Sequence, residues 1–207
     1  MPTLSDFQRI LANKKNSNEL AEILTGFLKG KSLGMFDCQS NINANDICID
    51  FDLSNIADEV TKFYASMVIT SWITEKYMKR SSLYAEKSIY IDEAWTMLKY
   101  EETADFIESL ARRARKRGVR LVLASQMAQE FTDSSQGRAT LNSCGTAIIM
   151  KQSPASVDKI IEFFKLSEGT RDFLLQAQKG EALLYMEGKV SAIIIETLDK
   201  EKEILKV

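Results

Sequence analysis

The chain has 207 residues, enough for one well-packed core or two small ones, and its 45% hydrophobic and 27% charged residues are those of an ordinary globular protein. A net charge of −2 excludes a general electrostatic pull toward nucleic acid, so any such binding must come from a local patch. Histidine is absent, which excludes Ser-His-Asp and Cys-His catalysis and histidine-ligated metals, and leaves carboxylates, Lys, Arg and hydroxyls for any chemistry.

The opening MPTLSDFQRIL lacks a basic segment followed by an apolar core, so no signal peptide is expected. Residues 3–30 read as two short helices, the second with Leu20, Ile23, Leu24, Phe27 and Leu28 at helical spacing and a capping box at Asn16-x-x-Glu19. Its end, TGFLKGKS over Thr25 to Ser32, closes like a phosphate-binding P-loop. Only three residues separate Gly26 from Gly30, however, and a P-loop must leave a strand and open a helix. The expectation is a decoy, with Gly26 inside a helix, Gly30 as its stop, and no phosphate at Lys31 or Ser32. Cys38, Cys48 and Cys144 are odd in number and widely spaced, the pattern of a reduced, cytoplasmic setting.

Ile47, Ile49 and Phe51 alternate as in a strand, with Asp50 and Asp52 on its exposed face. From Ser54 to about Lys79 the period becomes helical, with Ile56, Val60, Phe63 and Met67 on one face. The apolar run from Phe63 to Ile73 is too short and too polar to span a bilayer. KSIYIDEAW is then a short apolar strand ending in two acids. Ala104, Ile107, Leu110, Ala111 and Ala114 mark a helix that should stop at Gly118. VRLVLASQ is apolar on both faces, as a central parallel strand is, and GTAIIMKQ is a third such run. Ser153-Pro154 opens a helix through Phe164, more helix surrounds Asp172 to Gln176, and EALLYMEGKVSAIIIE reads as a hairpin turning at Glu187-Gly188-Lys189. Strands alternating with helices predict an α/β fold with a mostly parallel sheet, flanking helices and a C-terminal β-hairpin.

In such sheets chemistry gathers at the carboxyl ends of strands. Ile89 to Glu93 has the form of a Walker B segment, in which a buried strand delivers Asp92 to the metal of a nucleoside triphosphate and Glu93 prepares the attacking water. The competing reading is a strand that stops at a solvated turn. Gln126 ends the next strand, where a neutral amide can touch both γ-phosphate and water; a cap for the following helix is its alternative. Arg112, Arg113, Arg115, Lys116, Arg117 and Arg120 crowd one short stretch, either as a solvated basic face favoured by the helix dipole or as an arginine finger and DNA or partner contacts. Trp72 and Trp95 read as packing residues, since neither sits in an aromatic-rich basic groove.

IYIDEAWTML, ARRARKRGVRLVLASQ, LNSCGTAIIMKQ, GEALLYMEGKV and the earlier FDLSNI together resemble the C-terminal part of the conjugative transfer and type IV secretion ATPases of the VirB-four and TraC kind. That resemblance implies a partial RecA-like P-loop NTPase core, with Asp92 and Glu93 as Walker B and Gln126 as a further nucleotide motif. Arg115-Lys116 matches a recurring pair, and Arg112, Arg113, Arg115 and Arg117 are the candidate fingers. It further implies ATP and Mg2+, the metal held by Asp92 with a P-loop Ser/Thr, and a homo-oligomer, a hexamer in the full-length family. The implied partners are secretion channel components, a coupling protein and DNA, with a cytoplasmic place at the inner face of the membrane. The family's P-loop and large N-terminal domain have no counterpart in the 207 residues. A fragment is therefore expected: residues 1–45 as a helical insertion after Walker A, residues 46–207 as the later part of the ATPase core, and no hydrolysis by the isolated chain. The alternatives are a DNA translocase fragment of the FtsK or HerA kind and a non-catalytic docking module of a secretion complex.

Overall fold

The computed structural model describes residues 2–14, 17–40, 48–79, 86–126 and 128–205. It divides into two compact units, Met1–Tyr77 and Met78–Val207.

In the first unit, α1 (Leu4–Ala12) starts at Thr3, whose side chain and backbone exchange hydrogen bonds with Asp6 in a capping box. After α2 (Asn18–Leu24) the helix tightens into a single 3-10 turn, Thr25–Phe27, and Gly30 adopts the left-handed φ of +85°. The predicted cap at Asn16 lies outside the described residues. Asp37 joins these pieces. Its buried carboxylate accepts the Ser5 hydroxyl, the Ser5 N–H at 2.8 Å and the Lys29 N–H at 3.0 Å. Led by the Ser5 hydroxyl, these donors lower its pKa from the ordinary 3.8 to about 2.

Helix α3 (Glu59–Trp72) begins later than the Ser54 periodicity predicts, because Asp58 caps it by accepting the Thr61 N–H at 2.7 Å. Its buried positions are Thr61, Ala65 and Thr70, and Val60 is exposed, which corrects the predicted apolar face. The face is set by Tyr64, whose ring meets Phe27 edge-on at 4.9 Å. No strand forms over residues 48–53, and Ile47 lies outside the described residues. A strand requires a neighbour for its N–H and C=O groups, and among the described residues none lies beside this stretch. Phe51 packs instead against Trp72 at 5.7 Å, and Trp72 stacks on Tyr77 at 6.3 Å. This aromatic chain ties Phe51, Trp72 and Tyr77 together within the first unit, whose boundary with the second falls at 77/78.

The second unit contains β1 (Lys87–Ile91), α4 (Glu101–Ala114), β2 (Val119–Leu123), α5 (Ala128–Asp133), α6 (Ser135–Ser143), β3 (Thr146–Ile149), α7 (Pro154–Phe164), α8 (Glu168–Gln176), β4 (Glu181–Met186), β5 (Lys189–Ile194) and α9 (Asp199–Leu205). It is the α/β arrangement expected, with the hairpin in place. Strands β1 and β2 pair in parallel with Ile91 opposite Leu123, which requires a crossover, and α4 supplies it. Thr103, Ala104, Ile107, Leu110 and Ala114 form the buried stripe of α4, and Gly118 at φ +64° ends it. Ala94, Met97, Ile107 and Phe131 make one core, joined by Ile91 and Leu123 from the strands.

Strands β3, β4 and β5 form a second sheet, entirely antiparallel. The parallel character expected of the third apolar run is thus confined, among the described strands, to β1 and β2. Strand direction follows from which end the chain returns to, a property that an apolar run does not encode. Glu187 at φ +49° and Gly188 at φ +81° make the hairpin turn, whose two left-handed positions match the twist of the strands. Helices α7 and α8 cover one face through Ile149, Val157, Ile160, Leu174 and Leu183. Ile148 lies on the other face and is exposed, as are Tyr90 and its partner Val122 in the first sheet, so the strands read as apolar on both faces are covered on one.

Because Asp37 binds protons less readily folded than unfolded, its stabilising effect is complete above the ordinary value of 3.8 and is lost as pH falls toward about 2. Asp37→Asn should lower the melting temperature at neutral pH and flatten the acid dependence through that window. Thermal unfolding followed by circular dichroism at a series of pH values measures both.

Candidate functional site

The parallel register carries the chain past both strand ends at one edge. Ala124 N–H donates to the Ile91 carbonyl at 2.9 Å, and Ala94 N–H returns to the Ala124 carbonyl at 2.9 Å, so the ladder continues beyond the strands. Asp92 and Glu93 occupy the bend that this closure forces. Glu93 takes φ 46°, ψ 44°, the left-handed region, which costs a non-glycine residue on the order of 1 kcal/mol. The bend is held on every side. Asp92 Oδ1 accepts the Glu93 N–H at 2.9 Å, and the Glu93 carbonyl accepts both the N–H and the hydroxyl of Thr96, at 2.9 and 2.8 Å. The short turn that follows, Ala94–Leu98, buries Ala94 and Met97 in the core beneath.

The half-buried Glu93 carboxylate is engaged through both oxygens. Gln126 Nε2 donates to Oε1 at 2.6 Å across the strand ends, and Trp95 Nε1 donates to Oε2 at 2.5 Å. The structure therefore brings Glu93 and Gln126 into direct contact, with Asp92 beside them, exposed, its Oδ2 unengaged among the described residues. Chemically this is one acceptor-rich edge: a free carboxylate oxygen, a second carboxylate, and an amide that can donate and accept. Among the described residues no group of three or more ligands gathers around a metal position. Asp92, through its free Oδ2, is the group that could hold a hard cation such as Mg2+, which takes one or two carboxylates and completes its shell with water and phosphate.

Sequence reasoning missed Trp95, which it treated as packing alone. Its ring does pack beside the core, under the Lys99 ammonium at 5.1 Å, but the N–H faces Glu93. The available signal was a donor-only indole two residues after an acid at a strand end.

The basic cluster lies elsewhere. Helix α4 runs from the Glu93 edge back to the start of β2, and its 14 residues extend about 20 Å. Arg112, Arg113, Arg115, Lys116 and Arg117 thus sit at the amino edge of the parallel strands, the far end from Gln126. Arg112 pairs with Glu108 at 2.7 Å, Arg113 donates to the Ser109 hydroxyl, and Arg120 reaches Glu86 at 3.4 Å. Arg115, Lys116 and Arg117 are exposed.

In and just after the Thr25–Ser32 loop, several backbone donors that a phosphate would need are occupied. Lys29 N–H is on Asp37, Lys31 N–H on the Leu28 carbonyl at 3.0 Å, and Leu33 N–H on the Gly26 carbonyl at 3.1 Å. At Gly34 a Cβ would stand 2.6 Å from the Leu28 carbonyl oxygen, so the chain closes tightly on itself there.

A profile of the AAA-like domain matches residues 50–204. Among solved structures, that of VirB4 of Thermoanaerobacter pseudethanolicus superposes with a TM-score of 0.79 at 22% identity, covering 98% of this chain and 57% of that one. The chain thus spans little more than half the length of that relative. The genome packaging NTPase B204 from Sulfolobus turreted icosahedral virus 2, in complex with AMPPCP, matches with a TM-score of 0.49 at 14% identity, covering 63% of this chain and 62% of its own. No curated protein matches the sequence.

Whatever affinity the chain has for ATP should be unchanged in Lys31→Ala, because the N–H groups of Lys29 and Lys31 are already taken by Asp37 and the Leu28 carbonyl. Titration calorimetry of both proteins with Mg2+-ATP tests this, and a clear loss in the variant would make the loop a phosphate site.

Proposed function

The chain belongs to the AAA-like domain family, and on that premise we propose that its second unit is the water-side half of an ATP-hydrolysing site in an oligomeric secretion ATPase. The observation that carries this is the 2.6 Å contact between Gln126 and Glu93 at the carboxyl edge of two parallel strands. Glu93 orients the attacking water and accepts its proton. Gln126 reports the γ-phosphate by exchanging its bond with Glu93 for one to phosphate and water. Asp92, with Oδ2 open, would hold Mg2+, which would supply positive charge to the phosphates. In this reading the groups that grip those phosphates come from a segment outside residues 1–207, where no loop has the P-loop spacing and context.

The position of the basic cluster supports a role across a subunit boundary. Arg115 and Arg117 lie a helix length from Glu93, which suits a finger reaching a neighbouring subunit's nucleotide or a contact with DNA. Transport of DNA or protein through a secretion channel, with a coupling protein and channel components as partners, is the process that the VirB4 likeness suggests. Among the described residues no helix is long and apolar enough to cross a membrane; a peripheral place at the inner face is part of the same proposal.

Residues 1–207 alone should release no phosphate from Mg2+-ATP, whereas the same residues joined to their phosphate-holding segment should do so and lose it in Glu93→Gln. An arginine finger worth roughly 10³ to 10⁵ in rate has nothing to act on in the short chain. A phosphate-release assay on the two proteins decides the matter: turnover by the short chain that vanishes with Glu93→Gln would overturn the division of labour.

A further inference from the structure

Trp95 is the second donor on the Glu93 carboxylate, and none of the roles proposed above uses it. The two donors differ in how they are anchored. Gln126 is exposed, on the loop after β2, and its amide can turn away. Trp95 belongs to the Ala94–Leu98 turn, its ring set against Ala94, Met97, Ile107 and Phe131 and covered by the Lys99 ammonium at 5.1 Å. An indole N–H is neutral and donates only, so its bond to an ionised carboxylate is charge-assisted and indifferent to pH on the donor side.

A carboxylate with one donor on each oxygen keeps a lone pair on each, and the oxygen whose donor can leave is the one most open to a water. The amide is the donor free to leave, and the indole is the one that stays. We infer that Trp95 is a positioning residue for Glu93: the fixed indole N–H holds Oε2, and so keeps Oε1 aimed at the water when Gln126 turns to phosphate. This rests on the reading of Glu93 given above. Without the indole, the carboxylate swings on three side-chain bonds from a backbone already in the left-handed region, and productive geometry becomes a small fraction of its conformations.

Two measurements test this. In the 207-residue chain, labelled with 15N at its two tryptophans, Glu93→Ala should shift the Trp95 indole resonance and speed its solvent exchange while Trp72 stays in place. An unmoved Trp95 resonance overturns the contact and the inference with it. In the longer, ATP-hydrolysing protein, Trp95→Phe should lower kcat roughly 10- to 100-fold with KM for ATP unchanged, the pattern of an interaction needed in the transition state. Incorporating 3-benzothienylalanine at position 95 keeps the shape of the ring and removes the N–H, so it should reproduce the loss even if the Phe variant folds poorly. Full kcat with that analogue, in a protein that Glu93→Gln inactivates, overturns the positioning role alone. Full activity in Glu93→Gln overturns the reading of the site itself.

Discussion

The parallel pairing of β1 with β2 is the constraint on which the second unit depends. Because both strands run the same way, the acids after Ile91 and the amide after Leu123 emerge at one edge, and the chain between must travel the length of the sheet to begin again. The two hydrogen bonds through Ala124 extend the ladder past the strands and leave Asp92 and Glu93 no room for an extended backbone. The left-handed bend at Glu93 is thus a consequence of pairing, not a local preference of glutamate.

That bend is strained, and the surroundings offset the strain with ordinary interactions placed close together. The Thr96 N–H and hydroxyl both bind the Glu93 carbonyl, and Asp92 accepts its N–H. Ala94 and Met97 anchor the following turn by burial, full burial of a methionine-sized side chain being worth roughly 1.5 to 3 kcal/mol. The bend sits above the core that includes Ile107, the fully buried centre of α4. A site precise enough to aim a carboxylate is built on packing that allows few other arrangements.

The same crossover sorts charge. Helix α4 has Glu101 and Glu102 in its first turn and Arg112 and Arg113 in its last, each complementing the helix dipole, and Arg115, Lys116 and Arg117 follow. The acids at the end of β1 and the cations at the start of β2 are therefore held about a helix length apart. In the first unit a different anion does the organising. Asp37 gathers donors from Ser5 and Lys29, and so takes up the one N–H of Lys29 that a phosphate loop would have left free.

Much of this was legible in the residues themselves. The 3.6-residue period of Ala104, Ile107, Leu110 and Ala114, the Ser-Pro start of α7, the glycine stop at Gly118 and the Glu187-Gly188 turn are local preferences, and local preferences are written in neighbouring residues. Asp92, Glu93 and Gln126 stood out for the same reason, as polar groups closing apolar runs. The tertiary structure alone decided what depends on distant partners: that among the described residues Ile49 and Phe51 find no neighbouring strand, that β3 runs antiparallel to β4, and that Thr61 rather than Val60 turns inward. It also decided that Trp95, outwardly a packing residue, donates to Glu93. A strand's neighbour, its direction and the partner of a buried N–H are set by segments that meet only when the chain has folded, and side-chain period carries no record of them.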